Sequence, residues 1–394
     1  MHYDFFMSAH SKIKKIAYGL SITLAFALLP VFPASGAVKV GAICTKLNST
    51  KTASGAKLTC IKSGKKLVWS KGVAIEPAAP TSFDDLLANY KGIPAAAWKS
   101  TQANIASNIL ATPPLEIVIG PNTKMPYDRS VSETALKKIT GIFKNFVQPP
   151  KQTSVFYNFT DLNWAKEYLA TFKNPFRTSN TYSDQAVEHC PSAFMCRGAF
   201  GNYAVGTGLI INSVALPDDV YVTPFALNGS IDIHEFTHTI QKAQFLAANK
   251  TIHWVYPHWF SEGQPQVAGM TGSSKTLAEY KENRIRMIDR PAKGLGGYSP
   301  ADISRFYVLQ KSGSPEPTTR DLVYTIGYIT VEALTALKGI DSTMNLVKAV
   351  AEGDTFEQAF KKIYGVEWSY AEPILAEVIS KQFLEVRKYA TNNG

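Results

Sequence analysis

Histidine and cysteine are scarce in this chain, seven and four residues among 394. Acidic residues are missing altogether between positions 38 and 72, and the sequence contains no internal repeat. Four cysteines with no second pair at ribbon spacing argue against a cysteine-ligated zinc ribbon. Beyond residue 37 no apolar run reaches the length of a membrane span, so no stable span is expected once the N-terminus is removed. The 45% hydrophobic and 18% charged content excludes bulk disorder. At 394 residues the chain can bury a large core, and more than one folding unit is expected.

The first 37 residues read as a secretory signal. Lys12, Lys14 and Lys15 precede an apolar run from Ile16 to Phe32, and Ser35 and Ala37 supply the small residues of a cleavage site. Export places the cysteines in an oxidising compartment, where they pair. Three connectivities are open; the local one, Cys44 with Cys60 and Cys190 with Cys196, is the simplest. The expected location is extracellular or on the cell envelope.

The formal charge of +10 is concentrated near the N-terminus. Residues 38–72 carry eight lysines and no acid, and the signal adds three lysines and Asp4. What remains in 73–394 is 30 basic and 30 acidic residues, so the basic character belongs to a module. Gly55 and Gly64 split that module into short β-prone pieces. It resembles the lysine-rich, two-cysteine segment that follows the signal in secreted actinobacterial proteins. The expected partner is an anionic polymer of the cell envelope, against the plainer reading that lysines keep a small domain soluble. No nucleic-acid partner is expected.

The boundaries that follow are a signal over 1–37, the lysine-rich β module over 38–72, a linker over 73–82, an α/β subdomain over 83–250 and a helical subdomain over 251–394. The fold class is α+β. Strands are expected at "LEIVIGP", "TSVFYNF" and "GTGLIINSVAL". Helices are expected at "TSFDDLLANY", at "SVSETALKKITGIFKNF" with a Ser130–Glu133 capping box or Ser132 nearby as the cap, and at "TDLNWAKEYLATF". A further helix runs from about Ile231 to Ala248, and from residue 257 onward the periodicity is helical almost throughout.

The helix at 231 carries His-Glu-x-x-His as "HEFTH": His234, Glu235 and His238. Residues four apart on a helix differ by about 40° around its axis, so the two imidazoles face one way. That suits two ligands on one Zn2+. Glu235 projects beside them, where it can take a proton from a water whose pKa the metal lowers to about 7. A catalytic site needs a third protein ligand and keeps one position open. Gln241 and Gln244 stand where a metzincin would have Gly and His, which excludes that class. Glu262, in "PHWFSEG", sits near the start of the next helix, where it can approach the first.

His-Glu-x-x-His followed by Trp-x-x-Glu-Gly resembles the gluzincin metallopeptidases, and most of all their peptidase MA-like group. The resemblance implies zinc ligation by His234, His238 and Glu262, with Glu235 as general base. It implies a gluzincin-like α/β subdomain with a mixed sheet, and it extends loosely to Phe356–Phe360 near the C-terminus. Aminopeptidase-type members stabilise the oxyanion with a tyrosine of Tyr-x-x-Gly; Tyr324 matches, and Tyr328 is the alternative. Those members also hold the substrate's amine with the Glu of Gly-x-Met-Glu-Asn on the edge strand before the zinc helix. The stretch taken to correspond is Gly208–Asn212, with Ile211 in place of the acid. The expectation is a secreted zinc endopeptidase acting on a peptide or protein, the edge strand pairing with extended substrate. Asp232 and Gln266 are the candidates to orient the histidines, and His253 and His258 are weaker site candidates. The competing readings are a non-catalytic envelope-binding protein and a zinc amidase of cell-wall material.

Overall fold

The computed structural model describes residues 38–53, 55–176, 182–215, 224–250, 255–289, 295–310 and 317–392. The signal segment and His253 lie outside the described residues. Two compact units divide between Pro77 and Ala78.

The first unit is an antiparallel sheet of β1 (Thr50–Ala53), β2 (Ala56–Ser63), β3 (Lys66–Trp69) and β4 (Val73–Ala74). β2 is central and pairs with the other three. Leu58 and Trp69 pack around the Cys44–Cys60 disulfide. So small a core needs such a crosslink. All eight lysines of the unit are exposed. Because β4 pairs with β2, the sheet reaches into the stretch read as linker.

The second unit opens with α1 (Phe83–Leu86), capped by Ser82 and Asp85, and α2 (Ile93–Ala106). The strands β5 (Leu115–Ile119), β6 (Gln152–Tyr157), β7 (Gly198–Ala204) and β8 (Thr207–Ser213) form one mixed sheet in the order β5-β6-β8-β7. β5, β6 and β8 are parallel, and β7 runs antiparallel to β8 at the edge. Between these strands lie α3 (Arg129–Ile142), α4 (Leu162–Ala170) and α5 (Tyr182–His189). β6 and β8 are buried along their whole length, as strands covered on both faces must be. On β8, Ile210 joins the core that contains Phe236 and Ile240. Its neighbours Leu209 and Ile211 join a separate core with Ala165, Leu169 and Ala186. Period-two alternation thus divides the strand between two helical layers.

The remaining helices are α6 (Pro224–Leu227), α7 (Ser230–Ala247), α8 (His258–Ser273), α9 (Leu277–Ile288), α10 (Pro300–Leu309), α11 (Ile326–Lys338), α12 (Ile340–Glu352), α13 (Phe356–Tyr364) and α14 (Trp368–Asn392). They confirm a mostly helical C-terminal region and the α+β class.

Several local expectations need correction. β7 has no counterpart among the expected strands. Its sequence, "GAFGNYA", is rich in glycine and alanine and has no β-branched residue, so propensity hides it. The helix read from Ser130 begins at Arg129, and Asp128 caps it by accepting from the Ser130 amide. Ser130 is therefore already inside the first turn. One hydrophobic core runs from Phe83 to Val386, through both the α/β and the helical stretches, and includes the inner face of α7.

Candidate metal centre

α7 and α8 pack together, and that packing builds the site. On α7, His234 and Glu235 are buried and His238 is partly open, its side chain 13% exposed. α8 starts after Pro257, and five residues in it presents Glu262, also buried. The N-terminal end of α8 is fixed by an aromatic cluster. Trp259 packs on Tyr307, Phe356 and Trp368 at 5.3, 5.7 and 5.5 Å between ring centroids. Phe260 packs on Phe356 at 5.8 Å. The stretch at Phe356–Phe360 thus supports the helix that carries Glu262.

His234 Nε2, His238 Nε2 and Glu262 Oε2 form a nearly equilateral triangle. The edges are 3.2 Å between the two nitrogens, 3.3 Å from His234 to Glu262, and 3.4 Å from His238 to Glu262. Ligand atoms about 2.0–2.1 Å from one tetrahedral ion lie about 3.3–3.4 Å apart, so the triangle has the dimensions of one tetrahedral face. Two imidazoles and a carboxylate are also the donor set that zinc takes in hydrolytic sites with three protein ligands. These three residues form the group among the described residues that could hold a metal. Burial alone would push the Glu262 carboxyl up, but the two histidines, His238 foremost, hold it well below the ordinary range.

Glu235 lies beside this triangle. Its Oε2 accepts a hydrogen bond from the Gly201 amide of β7 at 2.6 Å. Burial pushes its carboxyl up to about 7, with Glu262 adding to the rise and His234, Gly201 and Lys242 opposing it. Lys242, one helical turn beyond His238, donates to the Gly201 carbonyl and to Asn202 Oδ1. The approach of α7 to β7 requires glycine at 201. A Cβ there would stand 2.1 Å from the Glu235 carbonyl oxygen and 2.7 Å from His238 Cβ.

The edge of the sheet differs from expectation. β8, which contains Gly208–Asn212, is paired on both sides, with β6 and with β7. Its backbone has no free edge for a peptide. The edge strand is β7, Gly198–Ala204, so the stretch Gly208–Asn212 that was expected at the edge is an inner strand. No acidic residue lies on β7.

The two tyrosines separate. Tyr324 ends a short 3-10 turn, and α11 begins only at Ile326. The Tyr324 ring lies 6.2 Å from that of His234. Tyr328 is buried and donates to the Tyr280 hydroxyl at 2.8 Å, in a network with Glu332 and Arg284. The fold thus brings His234, Glu235, His238, Glu262 and Tyr324 together and engages Tyr328 elsewhere.

The residues orienting the histidines also differ from expectation. Asp232 accepts from Tyr127 at 2.7 Å and from Ser132 at 2.9 Å, and Gln266 donates to Met287 Sδ. His238 Nδ1 instead bonds Gln241 Oε1 at 2.9 Å. The signal was present as an i, i+3 spacing on α7. His258 is buried at the first position of α8.

Both local disulfides form, Cys44–Cys60 and Cys190–Cys196, in keeping with an oxidising compartment. Among the described residues no helix is long and apolar enough to cross a membrane. No family model, curated protein or solved structure matches the chain.

Proposed function

We propose that the protein is an exported zinc metallopeptidase of the gluzincin type that hydrolyses peptide bonds within a chain. The observation that carries the reading is the triangle of His234, His238 and Glu262 with Glu235 beside it. A purely structural site would want a fourth protein ligand and has no use for a buried carboxylate next to it. When bound, zinc supplies the positive charge that polarises the scissile carbonyl and acidifies water.

This chain's own groups do the rest. Glu235 accepts a proton on its carboxylate and returns it to the leaving amine. The Gly201 amide holds Glu235 Oε2 and fixes the direction in which the carboxylate faces. Tyr324, beside His234, is the donor for charge that develops on the carbonyl oxygen. With no acid on β7, a free substrate amine finds no charge partner along the edge, which favours an endopeptidase.

The exposed lysines of residues 38–72 support a second element of the reading, retention on an anionic envelope polymer. Retention of the full chain on an anionic matrix would then weaken with rising salt, and an even retention across salt would remove this element.

The decisive experiment measures zinc content together with cleavage of an unstructured protein, with and without a chelator. Glu235→Gln is expected to keep the zinc and lower turnover about 10²–10⁴-fold. A zinc-loaded wild-type protein that cleaves no unstructured protein or peptide would refute the peptidase reading.

A further inference from the structure

We propose that Thr343, Gln264 and Gln241 form a one-way relay of hydrogen bonds that keeps a proton on His238 Nδ1, so that Nε2 is the nitrogen left for a metal. The inference rests on the reading of His234, His238 and Glu262 as a metal centre and adds the device that sets one ligand. An imidazole ligates only through an unprotonated nitrogen, and its tautomer follows from the bond made by the other nitrogen.

The relay begins at the Ile340 carbonyl, which can only accept. Thr343 Oγ1 donates its single proton there, at 2.7 Å. The same oxygen must therefore accept at its other contact, so the Gln264 atom 2.9 Å away is Nε2. Gln264 then turns Oε1 toward Gln241, and Gln241 answers with Nε2 at 2.7 Å. A second constraint agrees: the Ser261 carbonyl, next to Glu262, lies 3.2 Å from that Gln241 Nε2. Gln241 is left with Oε1 toward His238 Nδ1, at 2.9 Å. An amide oxygen has no proton to give, so the ring must carry one on Nδ1.

Each amide thus has one satisfactory orientation. Turning either of them sets acceptor against acceptor in a region where Gln241 is 2% exposed and Gln264 and Thr343 are 0% exposed. The relay crosses three helices, from α12 through α8 to α7. It ties the protonation pattern of a metal ligand to a backbone carbonyl four links away. These are positioning residues: none belongs to the triangle.

The test reads the tautomer directly. In full-length, metal-free protein with ¹⁵N-labelled histidine, long-range ¹H–¹⁵N spectra are expected to show the neutral His238 ring as Nδ1–H. Thr343→Val keeps the side chain's shape but removes the hydroxyl. It is expected to give mixed tautomers at His238 and about tenfold weaker zinc binding in competition with a chelating dye. Thr343→Ser should restore both. Gln241→Leu removes the last link and should weaken zinc binding about 10–100-fold. The proposal is overturned by a wild-type His238 whose neutral ring is Nε2–H. It is equally overturned if Thr343→Val leaves the tautomer unchanged, whatever happens to affinity. Because the tautomer is read without metal or peptide, a failure to cleave peptides would count against the peptidase reading and leave this result standing.

Discussion

Tyr324 and Tyr328 are four positions apart, yet they have different neighbours. The helix that would put them on one face starts after Tyr324, so the first tyrosine adjoins His234 and the second enters the buried network of Tyr280, Glu332 and Arg284. On the proposed function, Tyr324→Phe is expected to lower kcat about 10²-fold with little change in Tm, the effect of losing an oxyanion donor. Tyr328→Phe should leave kcat unchanged and destabilise the fold by about 1 kcal/mol, the usual net value of one hydrogen bond. Steady-state kinetics and thermal melts on the two variants decide the matter, and an exchange of the two phenotypes would reverse the assignment. The facing of His234 and His238 was legible in the sequence because helix geometry is local. The partner of His238 was legible in principle at i+3, but Asp232 and Gln266 were the residues singled out, and Asp232 has partners of its own. Tyr127 and Ser132, more than 90 positions earlier in the chain, engage it.

At the scale of elements, α8 and α11 cross with almost no separation. A Cβ on Gly263 would stand 2.4 Å from the Gly327 carbonyl oxygen, and one on Gly327 would stand 2.3 Å from that of Trp259. Both contacts are backbone, which cannot turn aside as a side chain can. Gly327→Ala must therefore push α8 outward, and with it Glu262. The expected result is a loss of about 1–3 kcal/mol together with weaker zinc binding, seen in denaturant titration and metal competition. Unchanged zinc affinity in a destabilised variant would show that Glu262 does not depend on this crossing.

Helix starts make a second prediction. The Ser82 amide holds Asp85, Ser130 holds Asp128 and Ser299 holds Asp302 below their ordinary value of 3.8. A carboxyl with a depressed folded pKa stabilises fully above its unfolded value and loses that contribution as pH falls through its folded value. The caps should hold at neutral pH and weaken below about pH 4. Replacing all three by Asn should shrink the drop in Tm between pH 6 and pH 3. An undiminished drop would place the acid sensitivity elsewhere. Ser82 and Ser299 are readable as caps because they precede a proline or an apolar run; Asp128 lies outside the Ser-x-x-Glu pattern that drew attention to Ser130.

On the scale of the whole molecule, two units have separate cores, one around Cys44–Cys60 and one extending through residues 83–386. The disulfide closes a separation of 16 residues, for which chain entropy gives about 3 kcal/mol, a large amount for so small a sheet. Replacing Cys44 and Cys60 by Ser should make residues 38–77 sensitive to protease while zinc content stays at the wild-type level. A parallel loss of zinc would show that the second unit depends on the first. The lysine charge of residues 38–72 and the neutral balance of residues 73–394 were both visible in composition, since charge is counted without knowing the fold.

Spacing along the chain was enough for the helix face of His234 and His238, for the strands rich in Val, Ile and Phe, and for the cysteine pairs, because each depends on residues within one or two turns or one short loop. Long-range packing decided which strand is the edge, which tyrosine adjoins the site, and that α/β and helical halves share a core. Those outcomes depend on which surfaces meet. β7 shows why: its small residues carry no strand signal of their own, and glycine is required at 201 because α7 passes so close there.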